Sequence, residues 1–401
     1  MAKATLYIIT NSYPEEKRTF NTDEFEYVIN NYSSVKILSF SKTKSRAYTP
    51  HLEHISFFNG IKEIINPSHV SRRKILSVMQ KETYFGNFID FFKNIYSFIL
   101  TLGILRNNKI QDNDLVFAYW FSRASRIAYY IYKLNGTKYI CQGHGSDIYI
   151  YPPNNAKKIV GSAVKIITVG EESKKYISNK YNIPSEKILV YRLGIKQEFY
   201  KMIQKKVNQR GRSFDSKLVF LTVASYRYVK GIDLLLEAIN LLVKNKKIND
   251  NILFKIYGSG NQKKRYIDYI KRMNLKNYII LNDWIDRENL SNELASANAF
   301  ILPSRSEGLP VVLMEACAAG LPIIATNVGC VKEIAIDNFN AILCENVTSQ
   351  SIANAIENFI NIDSSTKYIY SKNSLDLFTK HYILEENLKN KYDYIISNIN
   401  S

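Results

Sequence analysis

The sequence predicts an α/β protein of two doubly wound domains, each a parallel sheet covered on both faces, and three observations predict it. Short apolar, β-branched runs alternate with segments of helical period along most of the chain. The 401 residues give room for two full-sized cores, at roughly 150 residues per domain. A polar stretch with Lys201, Lys205, Lys206, Arg210, Gly211 and Arg212 has little apolar periodicity, and a strand starts right after it. That stretch is the linker candidate.

In the first half the strand-like runs are residues 4–10, 35–40, 115–120, 138–144 and 164–169, and helical patterns cover 22–31, 123–134 and 171–181. The second half is cleaner. Strands at 218–224, 252–257, 278–281, 299–302 and 322–326 alternate with helices at 232–244, 262–273, 288–295 and 311–319. The expected organisation is a first domain over 1–197 joined by a C-terminal helix at 385–401, a linker over 198–217, and a second domain over 218–384. Two open α/β domains leave a cleft at the carboxyl ends of their strands, where ligands bind.

Composition narrows the function classes. Hydrophobic residues make up 46% and charged residues 22% of the chain, which excludes a disordered protein. Four cysteines without a C-x-x-C pair point to a reducing compartment, and the first ten residues lack the long apolar region of a signal peptide. The most apolar stretch, 84–105, has the length of a bilayer span but carries Asp90, Lys93 and Asn94 near its middle. It reads as a buried or interfacial helix.

The formal charge is +18. Residues 1–200 hold 28 basic and 16 acidic side chains, against 26 and 20 in the remainder, so the surplus is concentrated in the first half. Such a surface attracts nucleic acid, anionic lipid or phosphorylated small molecules, and charge alone leaves all three open.

After the strand at 299–302 the chain reads Pro303-Ser304-Arg305-Ser306-Glu307-Gly308-Leu309-Pro310-Val311-Val312-Leu313-Met314-Glu315-Ala316. Pro310 suits the first position of a helix, so Glu307 falls in the strand-to-helix turn and Glu315 about a turn and a half inside. The N–H groups of Gly308, Leu309 and Val311, backed by the positive helix end, suit a phosphate or sugar hydroxyls. A carboxylate in a first helical turn is also a common dipole partner, and it is the spacing of eight to Glu315 that favours a site.

This segment, extended through Asn327, Val328, Gly329 and Glu333, is similar to the Glu-x₇-Glu signature of family 4 retaining glycosyltransferases. More than twenty consecutive positions fit. The resemblance implies a GT-B fold of two facing Rossmann-like domains with an interdomain cleft. It implies that Glu307 contacts the donor sugar, that Glu315 bonds the ribose hydroxyls, and that the amides of Gly308, Leu309 and Val311 hold sugar and diphosphate. Ser225-Tyr226-Arg227-Tyr228-Val229-Lys230-Gly231 resembles the strand-to-helix turn that supplies cations to the leaving diphosphate. The resemblance implies that Lys230 is one of them. Where the family often has an Arg two residues after the strand valine, this chain has Ser225, and Arg227 is taken as the second cation because a guanidinium fork suits phosphate.

Tyr257-Gly258-Ser259-Gly260 fits the family's G-x-G turn near the nucleotide, and Asp283 and Trp284 end the next strand, where the base is met. In the first half, His144-Gly145-Ser146-Asp147 resembles the H-G-x-D segment in which His bonds the donor sugar or its phosphate, with Asp147 bracing the loop through backbone N–H bonds. Lys17, Arg18 and Thr19, after the first strand, are further candidates for the phosphate or acceptor.

Asp112-Asn113-Asp114 precedes a strand and reads as a turn, and no cluster with metal-ligand spacing appears, so neither metal nor cofactor is expected. The expected function is retaining transfer from a nucleoside diphosphate sugar to a lipid-linked or polysaccharide acceptor, in O-antigen, capsule or lipopolysaccharide assembly. The expected place is cytoplasmic, on the inner face of the cytoplasmic membrane, with an anionic bilayer rather than nucleic acid meeting the surplus charge at Arg72, Arg73 and Lys74. A sugar-nucleotide epimerase of the same fold and a non-enzymatic polyanion-binding protein are the competing readings.

Overall fold

The computed structural model describes residues 4–13, 20–40, 51–83, 86–214 and 217–397. They form two compact units: the described residues up to Tyr191 together with those from Leu388 onward, and Arg192–Asn387.

The first unit holds β1 (Leu6–Thr10), β2 (Val35–Ser39), β3 (Leu52–His54), β4 (Leu115–Ala118), β5 (Lys138–Gly143), β6 (Lys165–Thr168) and β7 (Ile188–Val190). They pair in the order β3-β2-β1-β4-β5-β6-β7, parallel throughout. The second holds β8 (Leu218–Val223), β9 (Ile252–Tyr257), β10 (Ile279–Asn282), β11 (Ala299–Leu302), β12 (Ile323–Thr326) and β13 (Ala341–Cys344), in the order β10-β9-β8-β11-β12-β13 and again parallel. Strands such as β1, β4, β11 and β12 are buried at every residue, which is why they read as unbroken apolar runs. In each sheet the chain builds outward on one side of its first strand and then on the other. The reversal opens a crevice between the ends of β1 and β4, and another between the ends of β8 and β11.

The linker predicted over 198–217 is corrected by the structure. Its first part is a helix, Gln197–Arg210, within the second unit. Phe199 and Ile203, one turn apart, are buried, and Lys201 between them and Lys205 beyond them are exposed, so the apolar stripe is too narrow to stand out in the sequence. Arg212, also assigned to the linker, is anchored by hydrogen bonds to the carbonyls of Ala297 (3.0 Å), Ala319 (2.9 Å) and Gly320 (2.6 Å). The division between units falls before this helix, at Tyr191 and Arg192, and the C-terminal helix Leu384–Ser397 rejoins the first unit from Leu388 rather than from 385. Edge strands β3 and β7, three residues each, lack the fully apolar run that marks the central strands.

The apolar stretch predicted over 84–105 forms the helix Phe88–Asn107, capped by Asn87, whose side chain accepts from Asp90 N–H. By length and composition it could cross a membrane, and half of its most apolar window is buried inside the unit. It packs on helix Phe57–Ile65 at two glycines: a Cβ on Gly60 would lie 1.9 Å from Ile99 O, and one on Gly103 2.3 Å from Ser56 O. Phe58, Ile65, Phe88, Ile89 and Phe92 remain exposed on these two helices.

Glu63 fastens this pair to the chain that follows. Its buried carboxylate accepts from the N–H groups of Ser68 and His69 at 2.8 Å each and pairs with Arg106 at 2.8 Å. Burial raises its pKa, but the hydrogen bonds from His69, Ser68 and Val70 outweigh it and bring the value down to about 2. A depressed carboxylate contributes stability above its unfolded pKa that is lost as pH falls through the folded one. We therefore expect Glu63→Gln to cost on the order of 2 kcal/mol at pH 7, and expect the difference from the parent chain to vanish between about pH 4.5 and pH 2 in urea melts. A cost that persists at pH 2 would refute the assignment.

Candidate active site

Two loops leave the β8 and β11 ends and meet in the second unit's crevice. The β8 loop turns at Gly231, whose φ of +65° favours glycine and whose missing Cβ would lie 1.9 Å from Pro303 O. That approach brings Lys230 Nζ to 2.7 and 2.8 Å from the two carboxylate oxygens of Glu307, while Ser304 Oγ donates to Glu307 Oε1 at 2.6 Å. Glu307 is buried and Lys230 half-buried, so the lysine neutralises a carboxylate whose burial alone would be costly. Behind Glu307, Gly329 has φ +55°, and a Cβ there would lie 2.0 Å from Glu307 O.

Arg305 is the residue that sequence reasoning missed. Its guanidinium forks onto Asp233 with two 2.7 Å bonds, donates to Tyr228 O at 2.7 Å, and lies 3.8 Å over the Tyr228 ring. It therefore locks the β8 loop to the β11 loop and sets the position of Lys230. Its contacts to Asp233 and Tyr228, 72 and 77 residues away, reveal this.

Arg227, taken as the second cation, is exposed, and its Nε donates to Ser225 Oγ at 3.0 Å. The structure pairs it with its own loop and not with Glu307. Pro310 occupies the N-cap position, one residue earlier than expected, so the helix Val311–Ala318 begins with Val311. Its first two amides, Val311 and Val312, have no i−4 carbonyl within the helix, whereas Leu313 N–H donates to Pro310 O at 3.0 Å, and Gly308 and Leu309 lead into them. Leu309 turns its side chain into the core and offers only backbone. Glu315 is the fifth residue of that helix and half-buried.

Gly258 and Gly260 pack on the β8 loop: a Cβ on Gly258 would lie 1.9 Å from Ala224 O, and Tyr226 N–H donates to Ser259 O at 2.8 Å. Asp283 pairs with Lys263 at 2.6 Å, and Trp284 beside it is 61% exposed. Thr19, Lys17 and Arg18 lie outside the described residues.

His144 follows β5 in the first unit and is buried, its ring 4.7 Å from Tyr119 and 4.5 Å from Trp120. Asp147 Oδ1 accepts from the N–H groups of His144 (3.0 Å) and Gly145 (2.9 Å), and Oδ2 from Phe121 N–H (2.9 Å). It braces the loop. Burial, and after it the charge of Lys391, hold the imidazole pKa well below its ordinary value, so the ring is neutral.

Its tautomer follows from the groups behind it. Lys391, on the C-terminal helix, has donors only; it pairs with Glu24 and donates to Gln142 Oε1 at 2.8 Å. Gln142 therefore turns its amide nitrogen toward His144 Nε2, 2.7 Å away, which must accept. The ring proton sits on Nδ1. Tyr119 and Tyr392 hydroxyls complete the set by donating to Glu24 at 2.7 Å each.

Among the described residues no group of three His, Cys, Asp or Glu is placed to hold a metal ion, and Asp114 is occupied in its turn by Thr5 N–H and Gln111 N–H, both at 2.8 Å. Burial pushes the thiols of Cys141, Cys317 and Cys344 up to about 12, so they are not nucleophiles at neutral pH.

Residues 204–374 match the family model for glycosyl transferases group 1, a span that includes Lys230, Glu307 and Glu315 and not His144. An uncharacterized glycosyltransferase of Methanocaldococcus jannaschii is 26% identical over 223 residues, 54% of this chain and 56% of its own length. The UDP-Gal:alpha-D-GlcNAc-diphosphoundecaprenol alpha-1,3-galactosyltransferase of Escherichia coli is 32% identical over 34% of each chain. The matches to three such curated relatives span 56% to 64% of their lengths. Among solved structures, a glycosyltransferase from Rickettsia africae superposes with a TM-score of 0.70 at 17% identity, covering 100% of this chain and 99% of that one. HepE of Anabaena in complex with UDP-glucose superposes at 0.66 and 15% identity, covering 98% and 99%. At these identities the likeness is one of fold, and the fold is GT-B, two Rossmann-like domains.

The Lys391–Gln142 chain makes a spectroscopic prediction. Long-range ¹⁵N–¹H correlation spectra should show His144 as the neutral Nδ1–H tautomer at neutral pH, with the resonance assigned by its loss in His144→Asn. Lys391→Met should release the Gln142 amide and convert part of the population to Nε2–H. An Nε2–H ring in the parent protein would contradict the derivation.

Proposed function

We propose that the chain is a retaining glycosyltransferase that moves a sugar from a nucleoside diphosphate sugar to a hydroxyl of a lipid-linked or polysaccharide acceptor in surface-polysaccharide assembly. The observation that carries this reading is the Lys230–Glu307 pair at the β8/β11 crevice, inside the span matched by the glycosyl transferases group 1 model. The acceptor class is suggested by the Escherichia coli relative, whose substrate is a diphosphoundecaprenol-linked sugar.

In this reading the diphosphate takes Lys230 from Glu307, the amides of Gly308, Leu309 and Val311 share its charge, and Arg227 is free to swing from Ser225 onto it. The released Glu307 and neutral His144 orient the sugar hydroxyls, Glu315 holds the ribose, and Trp284 offers a surface for the base. The acceptor hydroxyl attacks the anomeric carbon on the face the diphosphate leaves. The bond from that carbon to the β-phosphate oxygen breaks as the new glycosidic bond forms, and the hydroxyl proton passes to the departing phosphate. Fixed cations and amides supply the charge stabilisation, so the reading invokes no metal or cofactor.

Glu307→Gln and Lys230→Ala should each reduce sugar transfer at least a hundredfold, measured with a panel of nucleotide sugars after a thermal-shift screen finds the stabilising donor. Glu307→Gln should retain the parent melting temperature within a few degrees. Full turnover in either variant, or conversion of the donor to an epimer with no acceptor present, would remove the proposal.

The membrane part rests on a different surface. Phe58, Ile65, Phe88, Ile89 and Phe92 are exposed on the helices Phe57–Ile65 and Phe88–Asn107; of these Ile65 meets Arg72, whose guanidinium donates to Ile65 O at 2.9 Å, and Arg73 and Lys74 continue that basic turn. Apolar side chains beside cations suit an anionic bilayer at the cytoplasmic face. Reversing Arg72, Arg73 and Lys74 to Glu should reduce co-sedimentation with vesicles rich in anionic lipid at least fivefold at low salt. Unchanged sedimentation would count against a bilayer partner.

A further inference from the structure

The first unit has its own crevice at the ends of β1 and β4, and cations outnumber carboxylates in it. A pocket of about 790 Å³ opens there, reached from Asn11 after β1 and Ser122 after β4. Lys93, Arg123 and Arg126 line it against a single carboxylate, Asp90. Among the described residues none of these three cations forms an ion pair.

Arg126 is the informative member. It is only 7% exposed, and its guanidinium is held at the limit of hydrogen-bond distance by two neutral groups, Ser97 Oγ at 3.5 Å and Asn154 Oδ1 at 3.4 Å. Its Nε has no hydrogen-bond partner. A charge taken out of water without a partner is destabilising, and an Arg–carboxylate pair or an apolar residue would serve a purely structural role better. Arg123, exposed one turn earlier, lies over the Tyr96 ring at 5.3 Å, which fixes its guanidinium at the pocket wall.

We propose that this pocket binds the phosphate or diphosphate group of the acceptor, with Arg126 and Arg123 as forked ligands, Lys93 as a third cation, and Tyr96 and Tyr151 as flat walls for the attached sugar. Guanidinium forks match phosphate oxygens in geometry, and aromatic faces suit sugar rings. The inference rests on the glycosyl-transfer reading for the word acceptor. The anion site itself stands on the buried, unpaired Arg126.

The test separates the two. In a Lys230→Ala background, which removes the proposed donor cation, titration calorimetry with inorganic pyrophosphate should still show one binding event. Arg126→Met and the exposed Arg123→Gln should each weaken it at least tenfold. In anion-free buffer Arg126→Met should melt no lower than its parent, because an unpaired buried charge has been replaced by an apolar side chain, and pyrophosphate should reverse the order. Farnesyl diphosphate in detergent, run in parallel, should bind more tightly than pyrophosphate if the phosphate arrives on a lipid, and equally if it arrives on a soluble glycan phosphate. Absence of any pyrophosphate binding in the Lys230→Ala protein, or binding unaltered in both arginine variants, would overturn the proposal. Neither result would touch the donor assignment, which is read from nucleotide-sugar binding.

Discussion

In an all-parallel sheet every strand ends at the same edge, and where the order of growth reverses the two neighbouring loops are forced apart. That constraint organises both units. Between β8 and β11 it separates the loops that carry Lys230 and Glu307, and Gly231 then lets them touch again at one point. Between β1 and β4 it leaves the pocket that contains Arg126. The helices and the remaining strands cover the apolar sheet faces and hold these two crevices in place.

Within that frame the protein treats buried charge in two ways. Some charges are fully partnered: Glu63 by amides and Arg106, Lys391 by Glu24 and Gln142, Arg212 by carbonyls, Arg305 by Asp233. These groups rigidify loops and helix ends. Lys230 is partnered by a carboxylate that the proposed ligand would displace, and Arg126 forms no ion pair among the described residues and leaves its Nε without a hydrogen bond. Both lie in the crevices where the backbone diverges. In the proposed reading, it is these less satisfied cations that phosphates would meet.

The fold class was legible because buried parallel strands are written as continuous apolar runs, so the central strands appear in the sequence within a residue or two of their ends. Edge strands β3 and β7 were not, since each is too short for a pattern. The helix Gln197–Arg210 was read as linker because two buried positions, Phe199 and Ile203, are too few to mark a stripe among lysines. At the site, Glu307, Lys230 and His144 stood out through local motifs. Arg305 did not, because its role depends on Asp233 across a sequence gap that no local pattern spans. Arg227 stood out for its charge, yet it is folded against Ser225.

Sequence alone determined the alternation of strands and helices, the glycine-bearing turns and the placement of Glu307 and Glu315 eight residues apart, since these are set by local periodicity and local backbone geometry. The tertiary structure decided which charges meet. Lys230 reaches Glu307 from 77 positions away, and Lys391 reaches Gln142 from 249, fixing the His144 tautomer. Arg126 donates its hydrogen bonds to Ser97, on the helix Phe88–Asn107, and to Asn154, in a turn. Such pairings depend on desolvation and distance in space, which a linear order of residues does not encode.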